Sequence, residues 1–341
     1  MKTSEVTCRR GRRRQLSTIT GLRVSSVLPR DRTYMLIDRP CENGSWDSLC
    51  RNDAPEKTEP SNTKPNEPSR TARMIARQRG AHQVLDHGAI LDDPFALPIL
   101  RESEKVVLQF ANAHPLVSIG RLFTAARSRI AKDALARAVE RGTRQVVILG
   151  AGLATFALRN PHSASDIHIY EVDTPATQTW KRERLADAQV PLPPWLIFVP
   201  VDFEQDDLGK QLVAAGFHQN SPAFFTWLGV VPYLTQDAIG RTLEHISSVQ
   251  HSEVVFDYME PPEAFSEELR QIEEARDEQL TKIGERSLNR FDPAGMAAIL
   301  RSHGFSAIED VDFHQIVSRF GHTVQALAPG HLGVRVIHAK Q

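Results

Sequence analysis

Short apolar segments alternate with helical patterns through the middle of the chain, and this alternation constrains the fold more than any other feature. The apolar segments are QVVILG, IHIYEVD, LIFVPVD, AFFTWLG and SEVVFDYM. Helical patterns separate them, and strands joined through helices pair in parallel. We therefore predict an α/β fold with a doubly wound, mostly parallel sheet of seven strands and an antiparallel edge strand near LGVRVIHA.

Helical patterns also precede the first strand. Ser69 is placed to cap a helix that begins in SRTARMIARQRG, and Gly142 is a candidate C-cap for RLFTAARSRIAKDALARAVERG. We expect residues of about 69–142 and a charged insertion of about 260–292 to form a helical lid over the strand ends. The stretch GERSLNRFDP is the part of the insertion expected nearest the substrate, and a solvated helical hairpin is the alternative.

The segment 1–68 differs in composition from the rest. It contains RRGRRRQ and the proline-rich and charged stretch NDAPEKTEPSNTKPNEPS, which excludes a periodic apolar face. We predict a disordered basic and polar extension here and one folded domain over 69–341. A solvated tail, a start codon placed too early and a transit peptide are the open explanations for the extension.

Composition narrows the range of partners. Of the 341 residues, 41% are hydrophobic and 24% charged, and the formal net charge of -1 gives no global reason to expect nucleic acid or an anionic membrane as partner. No apolar run reaches the roughly 20 residues of a membrane span. The cysteines Cys8, Cys41 and Cys50 leave the folded part without a thiol, so a zinc site or a Cys nucleophile is not expected. A cytoplasmic protein with a small-molecule partner is the expectation.

Polar residues and glycines occur where the apolar segments end, and a parallel sheet binds its ligand at the carboxyl ends of its strands. The first segment runs into Gly150 and Gly152, and the second ends in Glu171 and Asp173. Glu171 follows Gly150 by twenty-one positions, a spacing typical of a carboxylate that binds ribose hydroxyls. Each acid alone has an alternative role as a cap of the following helix.

The third segment ends in Asp202 and Phe203, an acid suited to an adenine amino group and a ring suited to a base face. Thr155 replaces the third glycine of the dinucleotide fingerprint, which counts against a bound pyrophosphate. These features describe a nucleoside cofactor that lacks phosphates and is bound by acidic side chains. We therefore expect S-adenosyl-L-methionine as the cofactor.

Several blocks of this sequence, in order, resemble one protein family. They are SRTARMIARQRG, DDPFA, RSRIAKDAL, QVVILGAGLATFALR, IHIYEVDTPATQTWKRERL, VPVDFEQDDL and FFTWLGVVPYLT. The chain from Ser69 onward is similar to the bacterial S-adenosylmethionine-dependent methyltransferases related to leucine carboxyl methyltransferase. The resemblance implies the class I, Rossmann-like methyltransferase fold and methyl transfer from S-adenosylmethionine to an acceptor.

The resemblance also implies roles for particular residues. Gly150 and Gly152 would line the methionine moiety, and Glu171 would bind the ribose, with Asp173 beside it. Asp202 and Phe203 would meet the adenine. Arg127 and Arg129 match an Arg-x-Arg pair of the family, suited to the carboxylate of the cofactor or of a substrate. The alternative for these two arginines is an ion pair with Asp133 or another neighbour.

Two departures from the family pattern leave rival functions open. Ala154 stands where the family turn usually has an acid, and Leu228 stands where the fourth strand often ends in Glu. These changes favour a catalytically weakened S-adenosylmethionine-binding protein as the alternative. An NAD(P)-dependent oxidoreductase is disfavoured by Thr155 and by the absence of a Tyr-x-x-x-Lys motif.

Methyl transfer needs alignment in a dry pocket rather than a nucleophilic side chain. A carboxylate acceptor needs no general base, whereas a hydroxyl acceptor needs a His or an acid near the methyl group. The histidines His218, His251 and His322 belong to no recognisable base arrangement. We therefore expect O-methylation of a carboxylate or hydroxyl of a small organic molecule, with the acceptor and the oligomeric state left open.

Overall fold

The computed structural model describes residues 32–35, 70–112, 115–265, 267–282, 286–325 and 332–341. Within the predicted extension 1–68 it describes one strand, β1 (Arg32–Met35), and the rest of that prediction lies outside the described residues. Strand β1 pairs in parallel with β8 (His322–Gln325).

A helical layer precedes the main sheet. Its helices are α1 (Arg70–Asp86), α2 (Ala96–Leu100), α3 (Glu104–Asn112) and α4 (Pro115–Glu140). Helix α1 packs on α3 and α4 through small and apolar side chains such as Ala76, Ala81 and Val107. Where α1 faces α2 and α3, an added Cβ at Gly80 would lie 3.2 Å from Leu97. The helices therefore approach closely and form one layer.

The main sheet has seven strands. They are β2 (Gln145–Leu149), β3 (His168–Asp173), β4 (Leu196–Pro200), β5 (Ala223–Trp227), β6 (Glu253–Met259), β7 (Ala307–Asp312) and β9 (Val334–Lys340). Their order is β4-β3-β2-β5-β6-β9-β7, with the five from β2 to β6 parallel and β9 antiparallel to both of its neighbours. The predicted doubly wound, mostly parallel, seven-stranded sheet is confirmed.

The position of the last strand was predicted wrongly. Strand β9 is antiparallel, as expected, but it lies between β6 and β7, and β7 forms the edge. The edge strand AIEDVD has one buried residue, Val311, and acids interrupt its apolar residues, so it carries no apolar signal. Its pairing with β9 is a long-range contact that local sequence does not specify.

Helices cover both faces of the sheet. After β3 come α5 (Pro175–Asp187), α6 (Leu208–Ala214), α7 (Gln236–Ser248), α8 (Glu267–Lys282), α9 (Pro293–Ser302) and α10 (Phe313–Ser318). Side-chain caps precede the first residues of several of these helices: Thr235 accepts from the amide of Ala238, and Asp292 accepts from that of Gly295. The expected helix in ATFALRN is instead a single 3-10 turn at Phe156–Arg159.

The two faces of the sheet have separate apolar cores. One contains Trp227, Phe225 and Leu243, and the other contains Phe224, Val146 and Ala134 of α4. Strands β2 and β6 are buried along their whole length, as expected when helices cover both faces. Among the described residues no helix is long and apolar enough to cross a membrane.

A charged cluster joins β6 to β9 at the end of the sheet opposite the strand carboxyl ends. The Glu253 carboxylate lies 3.0 Å from His338 Nε2 and 3.6 Å from Lys340 Nζ, and it accepts a hydrogen bond from Arg141. Burial alone raises the pKa of Glu253, but the hydrogen bonds from His338 and Arg141 outweigh it and lower the pKa to about 2.

We predict that Glu253→Gln reduces the acid sensitivity of the fold. A carboxylate whose folded-state pKa lies below its ordinary value of 4.5 stabilises the protein above that pH, and the contribution is lost as the pH falls toward 2. After allowance for solvent screening, the substitution should lower the free energy of unfolding at neutral pH by about 1 kcal/mol. Urea unfolding across this pH range measures the effect.

The exposed Glu244 of α7 offers a matched control. Glu244→Gln should keep the wild-type dependence of the free energy of unfolding on pH. An unchanged pH dependence in Glu253→Gln would contradict the role assigned to this cluster.

Candidate functional site

A cavity of about 670 Å³ lies at the carboxyl ends of the parallel strands. On one side it is lined by the turn after β2 and by residues that follow β3, β4 and β5. On the other side it is lined by α1, α3, α4 and the region of α8. This edge of an open parallel sheet is where ligands bind.

The glycine turn after β2 forms the floor of the cavity. Gly150 and Gly152 have φ angles of 63° and 49°, in the left-handed region that side chains disfavour. A side chain at Gly150 would overlap Val230, and one at Gly152 would lie 3.3 Å from Ala72 Cβ. Glycine is thus required for both the turn geometry and the space, and both predicted residues line the cavity.

Asp173, at the end of β3, is a half-buried carboxylate that lines the cavity. Its Oδ2 accepts a hydrogen bond from the amide of Gly152 at 2.6 Å, and its Oδ1 accepts one from the amide of Thr174 at 2.8 Å. Burial raises the pKa of Asp173 above its ordinary value, against the lowering effect of these bonds. None of the described arginines or lysines forms an ion pair with it, so its remaining lone pairs can accept from a ligand.

Glu171, two residues earlier on the same strand, is placed differently. It is 1% exposed and is not among the residues that line the cavity. Its Oε2 lies 2.5 Å from Nζ of Lys181, which also donates to the carbonyl of Ala154. Burial raises the pKa of Glu171, and Lys181 opposes that shift. The Glu171–Lys181 pair therefore joins α5 to the glycine turn from below.

The two predicted site residues that follow β4, Asp202 and Phe203, also differ in their position relative to the cavity. Phe203 lines the cavity, whereas Asp202 does not. The Asp202 carboxylate accepts hydrogen bonds from the amide of Glu204 and from Gln205 Nε2, both at 3.0 Å. In this structure, these hydrogen bonds make the Asp202 carboxylate a stabilising group of the turn in which it lies.

The two arginines of the predicted Arg-x-Arg pair also differ in position: one lines the cavity and the other does not. Arg127 is buried and lines the cavity, and its Nη1 donates to Asp257 at 2.6 Å. The other oxygen of Asp257 accepts from the amide of Gly229 at 2.6 Å. Arg129 lies outside the cavity lining, where it pairs with Asp133 at 2.8 Å. The alternative interpretation of an ion pair with Asp133 therefore applies to Arg129.

A buried cluster beneath the turn was not singled out from the sequence. Asp93 is fully buried and accepts a hydrogen bond from Thr155 Oγ1 at 2.6 Å. The Nε atoms of Arg79 and Arg159 each lie 3.5 Å from Asp93, and Arg79 also donates to the carbonyl of Leu153. Burial lowers the pKa of Arg79, and Asp93 opposes that shift. The signal lay in the DDPFA and SRTARMIARQRG blocks, whose side chains meet only in three dimensions.

The turn fits a nucleoside ligand without phosphates. A dinucleotide pyrophosphate binds at the N-terminus of the helix that follows the glycines. Here only the 3-10 turn Phe156–Arg159 follows, and Thr155 is engaged by Asp93. The acid at the next strand end, Asp173, retains free acceptor capacity toward the cavity. These features fit S-adenosylmethionine and disfavour NAD(P).

Solved structures similar to this chain include methyltransferases. Magnesium protoporphyrin IX methyltransferase of Synechocystis PCC 6803, determined with S-adenosylhomocysteine, is 12% identical, with 66% of this chain and 87% of that chain covered and a TM-score of 0.41. A DUF574 family protein from Streptomyces avermitilis is 14% identical, with 81% and 98% covered and a TM-score of 0.49.

Curated sequence relatives are more similar in sequence to this chain than these solved structures are. Residues 72–247, more than half of the chain, match the family model for leucine carboxyl methyltransferase. "Putative S-adenosyl-L-methionine-dependent methyltransferase YktD" of Bacillus subtilis (strain 168) is 32% identical over 218 residues, which cover 57% of this chain and 71% of that protein. A relative of the same description from Mycobacterium sp. (strain KMS) is 31% identical, with 63% and 74% covered. The chain therefore belongs to the leucine carboxyl methyltransferase family and is an S-adenosyl-L-methionine-dependent methyltransferase.

Proposed function

We propose that this enzyme methylates an oxygen atom, of a carboxylate or a hydroxyl group, on a small organic molecule. One observation carries the proposal: a single cavity joins the glycine turn to an apolar chamber enclosed by the helices that precede the sheet. When bound, S-adenosylmethionine supplies a methyl group whose bond to sulfur breaks as its bond to the acceptor oxygen forms, with the electron pair left on sulfur as a thioether. The protein has to align the two molecules and exclude water.

The charge of the cavity wall favours a carboxylate over a hydroxyl. Six cationic side chains line the cavity: Arg79, Arg127, Lys132, Arg159, Arg276 and Arg286. Only three carboxylates line it, those of Asp173, Asp257 and Glu273. Asp93 lies behind the lining and offsets part of the charge of Arg79 and Arg159, which leaves two cations in excess. An anionic acceptor offsets this remaining positive charge, whereas a neutral hydroxyl does not.

The lining also lacks a suitable general base for a hydroxyl acceptor. None of the described residues that line the cavity is a histidine or a cysteine. Asp257 is engaged by Arg127, and Glu273 lies 3.0 Å from Arg276 Nη2. A carboxylate acceptor is already deprotonated at neutral pH and needs no base.

The site residues take the following proposed roles toward the cofactor. Gly150 and Gly152 let the backbone approach the methionine moiety, and Asp173 accepts from the ribose hydroxyls. Asp173 takes this role in place of Glu171, because the partner of Glu171 is Lys181 and its position is outside the cavity lining.

The remaining contacts follow the strand order. Phe203 covers the adenine face, and Asp202 accepts from the adenine amino group with lone pairs that its own turn leaves free. Arg127 lines the cavity and carries a guanidinium Nε without a hydrogen-bond partner, and it would bind the carboxylate of the cofactor. Arg129 lies outside the cavity lining, so the substrate-orienting role proposed for it from the sequence has no support from its position.

Turnover tests the proposal directly. The full chain is incubated with S-adenosylmethionine and a panel of aryl and alkyl carboxylic acids, with matched alcohols and phenols alongside. Mass spectrometry then follows the added methyl group and the S-adenosylhomocysteine formed. We expect methyl esters from the acids, and methyl transfer only to nitrogen or sulfur nucleophiles in a parallel panel would contradict O-methylation.

We predict that Asp173→Asn and Glu171→Gln separate cofactor binding from stability. Asp173→Asn removes a charged acceptor of ribose hydrogen bonds, and it should weaken S-adenosylmethionine binding by about tenfold to a hundredfold. Glu171→Gln leaves the buried Lys181 without its counterion, and it should lower the free energy of unfolding by about 3 kcal/mol. Calorimetric titration and urea unfolding measure the two effects.

The opposite pattern of results would assign ribose binding to the other carboxylate. If Glu171→Gln lost cofactor affinity at full folding and Asp173→Asn did not, Glu171 would be the ribose ligand, as predicted from the sequence. Both proteins are titrated at a temperature where each is folded by circular dichroism.

We also predict that Leu228→Glu strengthens cofactor binding. Leu228 lines the cavity at the end of β5, where relatives of the resembled family often carry Glu, and a carboxylate there would attract the cofactor's ammonium group. Affinity for S-adenosylmethionine should rise about fivefold or more. Leu228→Gln has the same size without the charge, and an equal gain in that control would rule out an electrostatic cause.

A further inference from the structure

A buried amide on α1 faces the helix-enclosed part of the cavity. Gln78 is 8% exposed and lines the cavity. Its Oε1 accepts a hydrogen bond from Thr124 Oγ1 of α4 at 2.6 Å. This bond fixes the orientation of the amide group and directs its nitrogen, Nε2, away from Thr124.

The helix opposite is shaped to leave room for this nitrogen. Nε2 of Gln78 lies over Gly120, one turn before Thr124 on α4, and a Cβ at Gly120 would overlap it. Glycine in a helix interior is less favourable than alanine. The backbone of Gly120 is helical, so backbone geometry does not require glycine there, and an added side chain would displace the amide of Gln78.

The amide nitrogen of Gln78 carries two N–H groups that can donate hydrogen bonds. Within the described chain, Gln78 makes its side-chain hydrogen bond through Oε1, and Nε2 has no partner. Nε2 is not fully enclosed by protein atoms, and Gln78 lines the cavity, so a ligand oxygen in the cavity can accept a hydrogen bond from it.

The surroundings of Gln78 identify the kind of ligand. Met74, Phe110 and Val117 form an apolar cluster that lines the same part of the cavity, and Phe123 of α4 lines it as well. All of these belong to the helices before the sheet, whereas the glycine turn and Asp173 lie at the strand ends. These apolar side chains therefore lie on other elements than the glycine turn and Asp173, within the same cavity.

We infer that Gln78 is a specificity-determining residue for the methyl acceptor: held by Thr124, it donates a hydrogen bond to the acceptor's carboxylate, whose apolar body packs on Met74, Phe110 and Val117. The inference rests on the proposed O-methylation. One carboxylate oxygen takes the methyl group, and the second, which becomes the ester carbonyl oxygen, accepts from Gln78 Nε2. The substrate class is an apolar monocarboxylic acid, and no proton is released in the transfer.

Benzoate is the probe, because it combines an apolar ring with one carboxylate. Crystals of the full chain with S-adenosylhomocysteine are soaked with benzoate. We expect a benzoate oxygen within hydrogen-bond distance of Gln78 Nε2 and the ring against Met74 and Phe110. Benzoate absent from the cavity, or bound there without contact to Gln78, overturns the inference.

Calorimetric titration of benzoate into the protein saturated with S-adenosylhomocysteine provides the affinities. Gln78→Leu keeps the size of the side chain without the donor, and Gln78→Glu keeps the shape but presents a negative charge. We expect benzoate to bind at least tenfold more weakly to both, and Thr124→Val to weaken it severalfold because the amide loses its anchor. Gln211→Leu, an exposed change on α6, is the control and should bind like wild type.

Two further results separate this inference from the proposed function. The affinity for S-adenosylhomocysteine should stay within twofold of wild type in the Gln78 variants, and a larger loss would place Gln78 at the cofactor and overturn the inference. If the wild type forms methyl esters and Gln78→Leu forms them with unchanged acceptor KM, the inference fails while O-methylation stands. If benzoate binds through Gln78 but no acid is methylated, Gln78 contacts a bound carboxylate, but O-methylation of acids fails and the role of Gln78 in acceptor choice fails with it.

Discussion

The buried carboxylate of Asp93 connects the helical layer to the floor of the cavity. It lies between the arginines Arg79 and Arg159 and accepts a hydrogen bond from the hydroxyl group of Thr155. An unpartnered charge at such a depth costs several kcal/mol, so the three partners must meet around it whenever the protein is folded. The glycine turn is thereby held in place by a loop and a helix that come before the sheet in sequence.

A second buried pair closes the other side of the same cavity. Arg127 of α4 reaches Asp257 of β6, and Asp257 also holds the amide of Gly229 after β5. These two connections hold the helical layer against the strand ends, and the cavity lies between them. Under the proposed function, the helices before the sheet supply the wall that contacts the acceptor, so acceptor choice can change without loss of the glycine turn.

The sequence predicted those features that are encoded locally. The alternation of apolar segments and helices predicted the parallel sheet, and the glycines predicted a tight turn at its edge. The place of β9 inside the sheet was not predictable, because the acidic strand β7 that covers it shows no apolar pattern. Glu171 and Asp173 share one face of β3 by parity, and sequence does not state which lies at the cavity and which below it. The partners of Asp93 and Gln78 come from elements far apart in sequence, so only the fold brings them together.

The glycine turn is expected to bind a nucleoside cofactor without phosphates. Isothermal titration of S-adenosylmethionine and of NADH, separately, into the full chain tests this expectation most directly. We expect one S-adenosylmethionine bound per chain and no heat of binding from NADH. Binding of NADH, or of neither compound, would contradict it.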